Sequence, residues 1–430
     1  MKRIGLMLLV GLAFCGVARP AFGIPAFARK YGLPCSACHQ AWPMLNNFGQ
    51  TFKDNGYQLG NGRDAPIFHE PDYFPIALRV TPQWHRESTP TTVDSVPGNP
   101  ASGQTVKYVT QTGFDTSSID LLVAGTLSNN ISFFVQPFLT NGKAFLGQEW
   151  VRFDNLAKTS WLNLKLGKFE PDQPISQERT LTLSSNGGTY YNYFFTPPGD
   201  SNFAFLGGDQ TGVELLGHSA NDYTRYSVAV FGQFPADTYS VYTNFNQSFE
   251  IPKLGMQRVG LYGLFGVAPT YFQTSNGNPI DGEGLGNRSY YRVGAYGMWY
   301  LGKFDVDTFF LHGQDNVFLG NSIAANQPGN LPLGATGPSW NGGFIEGHYT
   351  YNPRLILIGR YELIRMAQQA NPNNPADLGN LDAWTAGYRW YPIMNPRAGL
   401  AWVQEYSRTH NAGPSPNSPN SFLMGFDFDF

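Results

Sequence analysis

The sequence predicts an all-β protein, a transmembrane antiparallel β-barrel of about 16 strands with a small helical segment ahead of it. Three observations carry that expectation. Stretches of alternating apolar and polar residues recur through most of the chain and run up to its last residue. The connections between these stretches alternate between short and long. Near the start, the pentapeptide Cys35-Ser36-Ala37-Cys38-His39 lies in a stretch without that alternation.

The composition agrees. The 430 residues include 49 Gly, 15% aromatic residues and only 14% charged residues. Such a balance suits a strand-rich chain with one face in lipid. The formal net charge of -3 gives a nucleic-acid partner no electrostatic support.

Residues 1–23 read as a signal peptide. Lys2 and Arg3 form its basic start, residues 4–17 its apolar stretch, and Ala21-Phe22-Gly23 a small-x-small cleavage site. The apolar run is too short to span a bilayer as a helix. Cys15 falls inside this segment, and Phe14 before it is too large for a lipoprotein site. Cys35 and Cys38 are then the only cysteines of the mature chain. The expected destination is the outer membrane of a Gram-negative bacterium.

Residues 24–72 form the segment around the pentapeptide. Two cysteines three apart followed at once by histidine is the attachment pattern of a c-type haem. Each thiol forms a thioether to one vinyl group, and the spacing spans the gap between the two vinyls. Cys35 and Cys38 are the expected attachment points of one covalent haem c. His39 is the expected proximal ligand of its iron. Residues 24–31 read as a short helix leading in. Residues 41–52 carry Trp42, Leu45, Phe48 and Phe52 at spacings of three and four, a helical stripe that Gly56 stops. Fewer than 50 residues do not enclose a haem alone, so the segment should lean on a larger body. For the sixth position, Met44 is close to His39 in sequence and poorly placed to reach the opposite face. His69 and His85 are the candidates, with His69 preferred, and a five-coordinate or water-ligated iron is the alternative.

Residues 73–430 read as the barrel. Ile76, Leu78, Val80 and Trp84 interleave with Ala77, Arg79, Thr81, Gln83 and His85. At the other end Phe422, Met424, Phe426, Phe428 and Phe430 alternate with Ser421, Leu423, Gly425, Asp427 and Asp429. The sixteen expected strands begin near Ile76, Ile119, Ile131, Glu149, Trp161, Gly212, Tyr223, Thr238, Val259, Tyr290, Phe304, Phe344, Leu355, Asp382, Ala398 and Phe422. Short turns are expected around Asn129, Lys158, Ala220, Gly302 and Pro353. Long Gly/Pro/Asn/Ser-rich connections are expected at 87–117, 170–210, 272–287, 313–341, 367–379 and 409–420. Short turns on one rim and long loops on the other is the asymmetry of an outer-membrane barrel. Arg79, Arg152, Lys165, Arg225, Arg292, Arg360 and Arg389 fall on the polar faces with Asp305, Asp307, Glu346, Glu362, Glu405 and Asp427. Arg79, on the first strand after the haem segment, is the candidate partner of a haem propionate.

The whole mature chain resembles the fused cytochrome–porins of the outer membrane, a family that includes iron-oxidising monohaem cytochromes. The resemblance is carried by Phe27-Ala28-Arg29, then Cys35-Ser36-Ala37-Cys38-His39, then Phe48-Gly49 and Phe52-Lys53 ahead of Asn55-Gly56-Tyr57. It implies haem thioethers at Cys35 and Cys38 and a proximal His39. Many relatives have a methionine near the start of the first strand; here that stretch is Pro75-Ile76-Ala77-Leu78-Arg79. The function implied is electron transfer across the outer membrane, from an extracellular donor such as Fe(II) to a periplasmic c-type cytochrome. Its direction is not encoded, so export of electrons to an extracellular acceptor is an alternative. A second is a diffusion porin with a haem-bearing plug. A haem peroxidase would need a distal acid-base pair, and no local motif supplies one.

Overall fold

The computed structural model describes residues 26–41, 43–60, 64–69, 75–92, 105–140, 142–173, 175, 181–182, 206, 208–233, 238–269, 287–314, 339–366, 380–395, 398–411 and 418–429. The expected signal peptide, Trp42, Phe430 and most of the expected long connections lie outside them.

Two short strands, β1 (His39–Ala41) and β2 (Met44–Leu45), form a hairpin. Sixteen more strands follow among the described residues. They are β3 (Ile76–Thr92), β4 (Thr105–Ser128), β5 (Ile131–Thr140), β6 (Lys143–Phe153), β7 (Asn163–Phe169), β8 (Gln210–His218), β9 (Thr224–Gln233) and β10 (Thr238–Ile251). The second half comprises β11 (Gly255–Pro269), β12 (Asn287–Leu301), β13 (Phe304–Gln314), β14 (Ser339–Asn352), β15 (Leu355–Met366), β16 (Leu381–Asn395), β17 (Ala398–Asn411) and β18 (Asn420–Asp429). Each pairs antiparallel with its neighbours in sequence, and β18 closes on β3 to complete a barrel. Closure leaves no sheet edge, which is what a backbone in lipid requires.

Each of the sixteen expected segments corresponds to one strand. Two expectations about the connections are corrected. Most of 87–117, expected as a loop, is strand, because β3 runs on to Thr92 and β4 starts at Thr105. On β3 these rungs carry Ser88, Thr89, Thr91 and Thr92, and on β4 Val106, Tyr108 and Val109 fall in both phases, so no one face is marked as apolar there. The strict alternation of short and long connections also fails. β5 and β6 are joined by Asn141-Gly142 alone, a dipeptide suited to a tight hairpin.

The strand faces divide as period two dictates. Phe245, Leu261, Phe265, Phe310, Ile345 and Leu357 are exposed on the outside. Their sequence neighbours Asn244, Tyr262, Leu264, Phe309, Glu346 and Ile358 are buried. Such an apolar outer belt is the surface a bilayer covers. The charges expected inside are there: Arg152, Arg225, Arg292, Arg360, Arg389, Glu346, Glu362, Glu405 and Asp427 are buried.

The segment ahead of β3 sits within the barrel. It contains α1 (Ala26–Tyr31), α2 (Cys35–Cys38) and α3 (Asn47–Asp54). Gly32, at φ 63°, follows the end of α1, where the left-handed conformation favours glycine. The helix expected over 41–52 is corrected to α3, which begins only at Asn47. Asn46 caps it, its side-chain oxygen accepting the Gly49 N–H at 2.9 Å. The hairpin β1–β2 occupies the residues before the cap, with Pro43 in its turn. Fraying of the helical stripe at that point follows from proline and the cap rather than from the apolar spacing.

Opposite walls of the barrel hold this segment. On one side Phe27 stacks on Tyr57 at 4.6 Å, and Tyr57 on Trp150 of β6 at 6.0 Å. The Gln58 amide donates to Asp154 at 2.7 Å, and the Arg152 guanidinium to the Asp54 carbonyl at 2.6 Å. The Asp54 carboxylate receives Arg258 at 2.8 Å and lies 3.7 Å from Arg225. On the other side Ala41 and Met44 pack with Ile356, Ile358 and Val403 of β15 and β17. The segment therefore crosses the lumen as a plug.

Two outcomes test this architecture. Leu261, exposed on the outer face of β11, should not tolerate charge. Leu261→Arg is expected to destabilise the membrane-inserted barrel by about 2–4 kcal/mol, measured by urea titration of folding into vesicles. The second concerns the plug. Burial alone would push the Asp54 carboxyl up, but Arg258, Arg225 and Lys53 outweigh it and hold it at about 2. A depressed carboxyl contributes docking free energy that is complete above its free value of about 3.9 and is lost as pH falls through the bound value. That depression corresponds to roughly 2–3 kcal/mol. Protease protection of the plug should persist at pH 5 and fall as pH drops from about 4 to 2. Asp54→Asn should weaken protection at neutral pH and flatten that acid step.

Candidate functional site

The plug and the inner wall of β3–β6 enclose a cavity of about 490 Å³, within the range of roughly 300–1,000 Å³ that ligand sites occupy. The plug contributes Cys38 and His39 to its lining, with Phe27, Tyr31, Phe52 and Tyr57. The barrel contributes apolar side chains including Leu122, Phe134 and Phe138, then Arg79, Asp120 and Asp429.

Local sequence fixes the plug side. Cys35 and Cys38 belong to the single turn α2, and the Cys35 side chain lies outside the described residues. A Cβ on Gly49 would fall 1.9 Å from the Cys38 carbonyl oxygen. Only glycine therefore lets α3 pack this closely on α2. The Asn46 amide donates to the Ala37 carbonyl at 3.0 Å and ties the two helices again. Nδ1 of His39 lies 3.2 Å from the Pro43 carbonyl oxygen. Only a protonated Nδ1 can donate to that oxygen, and the lone pair is then on Nε2. A backbone carbonyl in this role fixes the tautomer and ring orientation of a metal-binding histidine.

The far side is a row of charge. Asp429, Arg79 and Asp120 are direct cross-strand neighbours on β18, β3 and β4. Arg79 donates to both oxygens of Asp427 at 2.9 and 2.8 Å. Asp427 also receives Arg389 at 2.8 Å. Asp120 accepts from the Ser118 hydroxyl at 2.5 Å and the Gln136 amide at 3.3 Å.

The structure brings Cys38, His39 and Arg79 to one cavity. It does not bring His69 there. His69 ends the one-turn helix Ile67–His69, is exposed and stands edge-on to Phe68. His85 is not a lining residue either. Met44 is buried against the β15–β17 wall. Among the described lining residues there is no second histidine and no methionine. Arg79 reaches the cavity already held by Asp427. Apolar walls, a thiol and an oriented imidazole fit a covalently attached tetrapyrrole. Cys35, Cys38 and His39 are the residues that would hold it.

Sequence reasoning missed Asp120, Asp429 and the aromatic floor of Tyr57, Phe134 and Trp150. Asp429 was visible as a polar-face residue of the last strand, with nothing to rank it above its neighbours. Asp120 lies far from Asp429 in sequence, and only barrel closure brings both to Arg79.

Comparisons with known proteins bear on the barrel. Residues 257–430, from β11 to the end, match the family model "Phosphate-selective porin O and P". No curated protein matches the chain in sequence. Among solved structures, the chain is similar to the outer membrane channel DcaP of Acinetobacter baumannii, with a TM-score of 0.51 at 7% identity, covering 83% of this chain and 96% of that one. It is also similar to in-vitro folded OmpT in its trimer form, an outer membrane protein of Vibrio cholerae, with a TM-score of 0.50 at 12% identity, covering 83% of this chain and 99% of that one. At such identities the likeness is one of fold, and the chain has the closed sixteen-strand barrel of porins.

Proposed function

We propose that this protein is a barrel of the Gram-negative outer membrane that carries one covalent haem c in its plug and conducts electrons across that membrane. The observation that carries the reading is the cavity, where Cys38 and His39 of the attachment motif face an apolar pocket in the lumen. Haem c bound there supplies one-electron redox chemistry. The chain does the rest. Cys35 and Cys38 tether, His39 is oriented by the Pro43 carbonyl, and Phe27, Tyr57 and Phe134 exclude water. The anchors of Asp54 keep the plug in place. In this reading the donor is an extracellular metal ion of the Fe(II) class. The acceptor is a periplasmic c-type cytochrome at the short-turn rim. Transfer in the other direction, to an extracellular acceptor, uses the same parts.

A second reading is a diffusion porin whose plug narrows the channel. The porin family match over 257–430 supports it, and so does the barrel's likeness to outer membrane channels. Selectivity for phosphate finds less support in the lumen. An anion filter needs unbalanced cations, while Arg152, Arg225, Arg258, Arg360 and Arg389 are each in a salt bridge with a carboxylate.

Two measurements on the purified protein separate the readings. Cys35→Ala is expected to lose covalent haem, read by haem staining after denaturing electrophoresis, while heat-modifiable migration shows an assembled barrel. Covalent haem retained in that variant would sink the attachment reading. In planar bilayers the wild type should show conductance far below that of an open sixteen-strand porin, and a full porin conductance would favour the channel.

A further inference from the structure

We propose that Asp120 and Asp429 form a binding site for a hard divalent metal ion inside the plug cavity. The proposal deepens the redox reading above and rests on it for its purpose, since the ion would be the electron donor. The site itself stands on separate observations.

The first is charge. Arg79 and Arg389 share Asp427, and Asp120 and Asp429 flank Arg79 in register. Three carboxylates thus face two guanidiniums, which leaves one negative charge over, and Asp120 and Asp429 line the cavity together with Asp209. The second is satisfaction. Asp429 is 6% exposed, and its Oδ1 has no hydrogen-bond partner. A buried carboxylate oxygen without a donor is costly unless a cation meets it. Asp120 is 8% exposed, and Ser118 and Gln136 fix its orientation without neutralising it.

The third is donor chemistry. The side chains at this end offer carboxylate, amide and hydroxyl oxygen, with no thiolate or imidazole beyond those on the plug side. Oxygen donors suit Mg(II), Mn(II) and Fe(II) over soft ions. Among the described residues no three His, Cys, Asp or Glu side chains converge as a tight metal site. Two carboxylates leave an ion most of its water. That suits a substrate which must enter and leave, where binding has to be favourable but weak.

The test uses Mn(II) as the probe and the full-length protein in detergent. Binding is read from loss of the free Mn(II) electron paramagnetic resonance signal. Wild type should bind Mn(II), and Asp120→Asn and Asp429→Asn should each weaken it on the order of tenfold. Glu405→Gln, elsewhere on the barrel wall, should leave it unchanged. Assembly of each variant is checked by heat-modifiable migration. Should the Asn variants fail to assemble, Gln136→Glu decides, because a third carboxylate beside Asp120 should tighten Mn(II) binding. No binding by wild type, wild-type affinity in assembled Asn variants, or no tightening in Gln136→Glu would each overturn the site. Failure of the redox reading has a different signature, a protein without a haem spectrum whose Mn(II) binding still depends on both aspartates. Where haem is present, dithionite should reduce it equally in wild type and variants, and reduction by Fe(II) should slow in the variants.

Discussion

A charge that faces the inside of a closed barrel must be met by water or by an opposite charge, because the wall behind it is backed by an apolar surface. This constraint organises the molecule. Period two on each strand puts one residue in two toward the lumen, and the composition makes many of those residues ionic. The barrel wall satisfies part of them internally: Arg360 bridges Glu346 and Glu362, and Arg389 reaches across to Asp427. The plug satisfies others. Asp54 is shared between Arg225 and Arg258, and the Asp54 carbonyl accepts from Arg152. A short helix from the N-terminal segment thereby becomes the counter-charge for three strands of the wall.

That arrangement explains why so small a segment can be ordered at all. Its own core is one aromatic cluster of Phe27, Tyr31, Phe52 and Tyr57, and Phe48 is exposed on α3. The rest of its packing comes from the barrel, through Trp150 and Phe134 on one side and Ile356, Ile358 and Val403 on the other. Burial of paired ions is weak evidence of net stability, but it is strict about position, since removing either partner strands the other. The plug is accordingly fixed in one register against β6, β9 and β11. The cavity between α2 and β3–β6 inherits that definition.

Much of the barrel was legible in the sequence because a lipid-facing strand has to declare itself every second residue. The alternation from Phe422 onward and the charges at Arg152, Arg225, Arg360 and Arg389 gave strand phase as well as strand number. Legibility ended where one of the two faces lost its contrast. The upper parts of β3 and β4, with Thr89, Thr91 and Lys107, read as loop because polar residues occupy both phases. In the plug, the expectation of haem rests on the spacing of Cys35, Cys38 and His39 alone. Asp54 and Arg258, 204 residues apart, have no local signature, and neither does the meeting of Asp120 with Asp429. Contacts made by closing β18 on β3 depend on the whole cylinder, which no window of sequence contains.

The two functional readings make opposite demands on the same lumen. A diffusion pore needs an open path and unpaired charges that attract a solute. An electron conduit needs its redox group held still, within reach of both faces and shielded from bulk water. The porin family match over 257–430 and the likeness to outer membrane channels side with the first reading, and the plug with its cavity is what the second would use. Arg152, Arg225, Arg258, Arg360 and Arg389 are in salt bridges, the plug crosses from β6 to β17, and Tyr262, Tyr296, Phe309 and Phe344 pack as an aromatic layer on the inner wall. Beside Arg79 carboxylates outnumber guanidiniums, as they also do where Asp305, Asp307, Glu346 and Glu362 meet Arg360 and His348, and the first of these places opens into the cavity that Cys38 and His39 line. A surplus of carboxylates in the lumen discriminates against anions. It also gives a metal cation a reason to stop next to the motif.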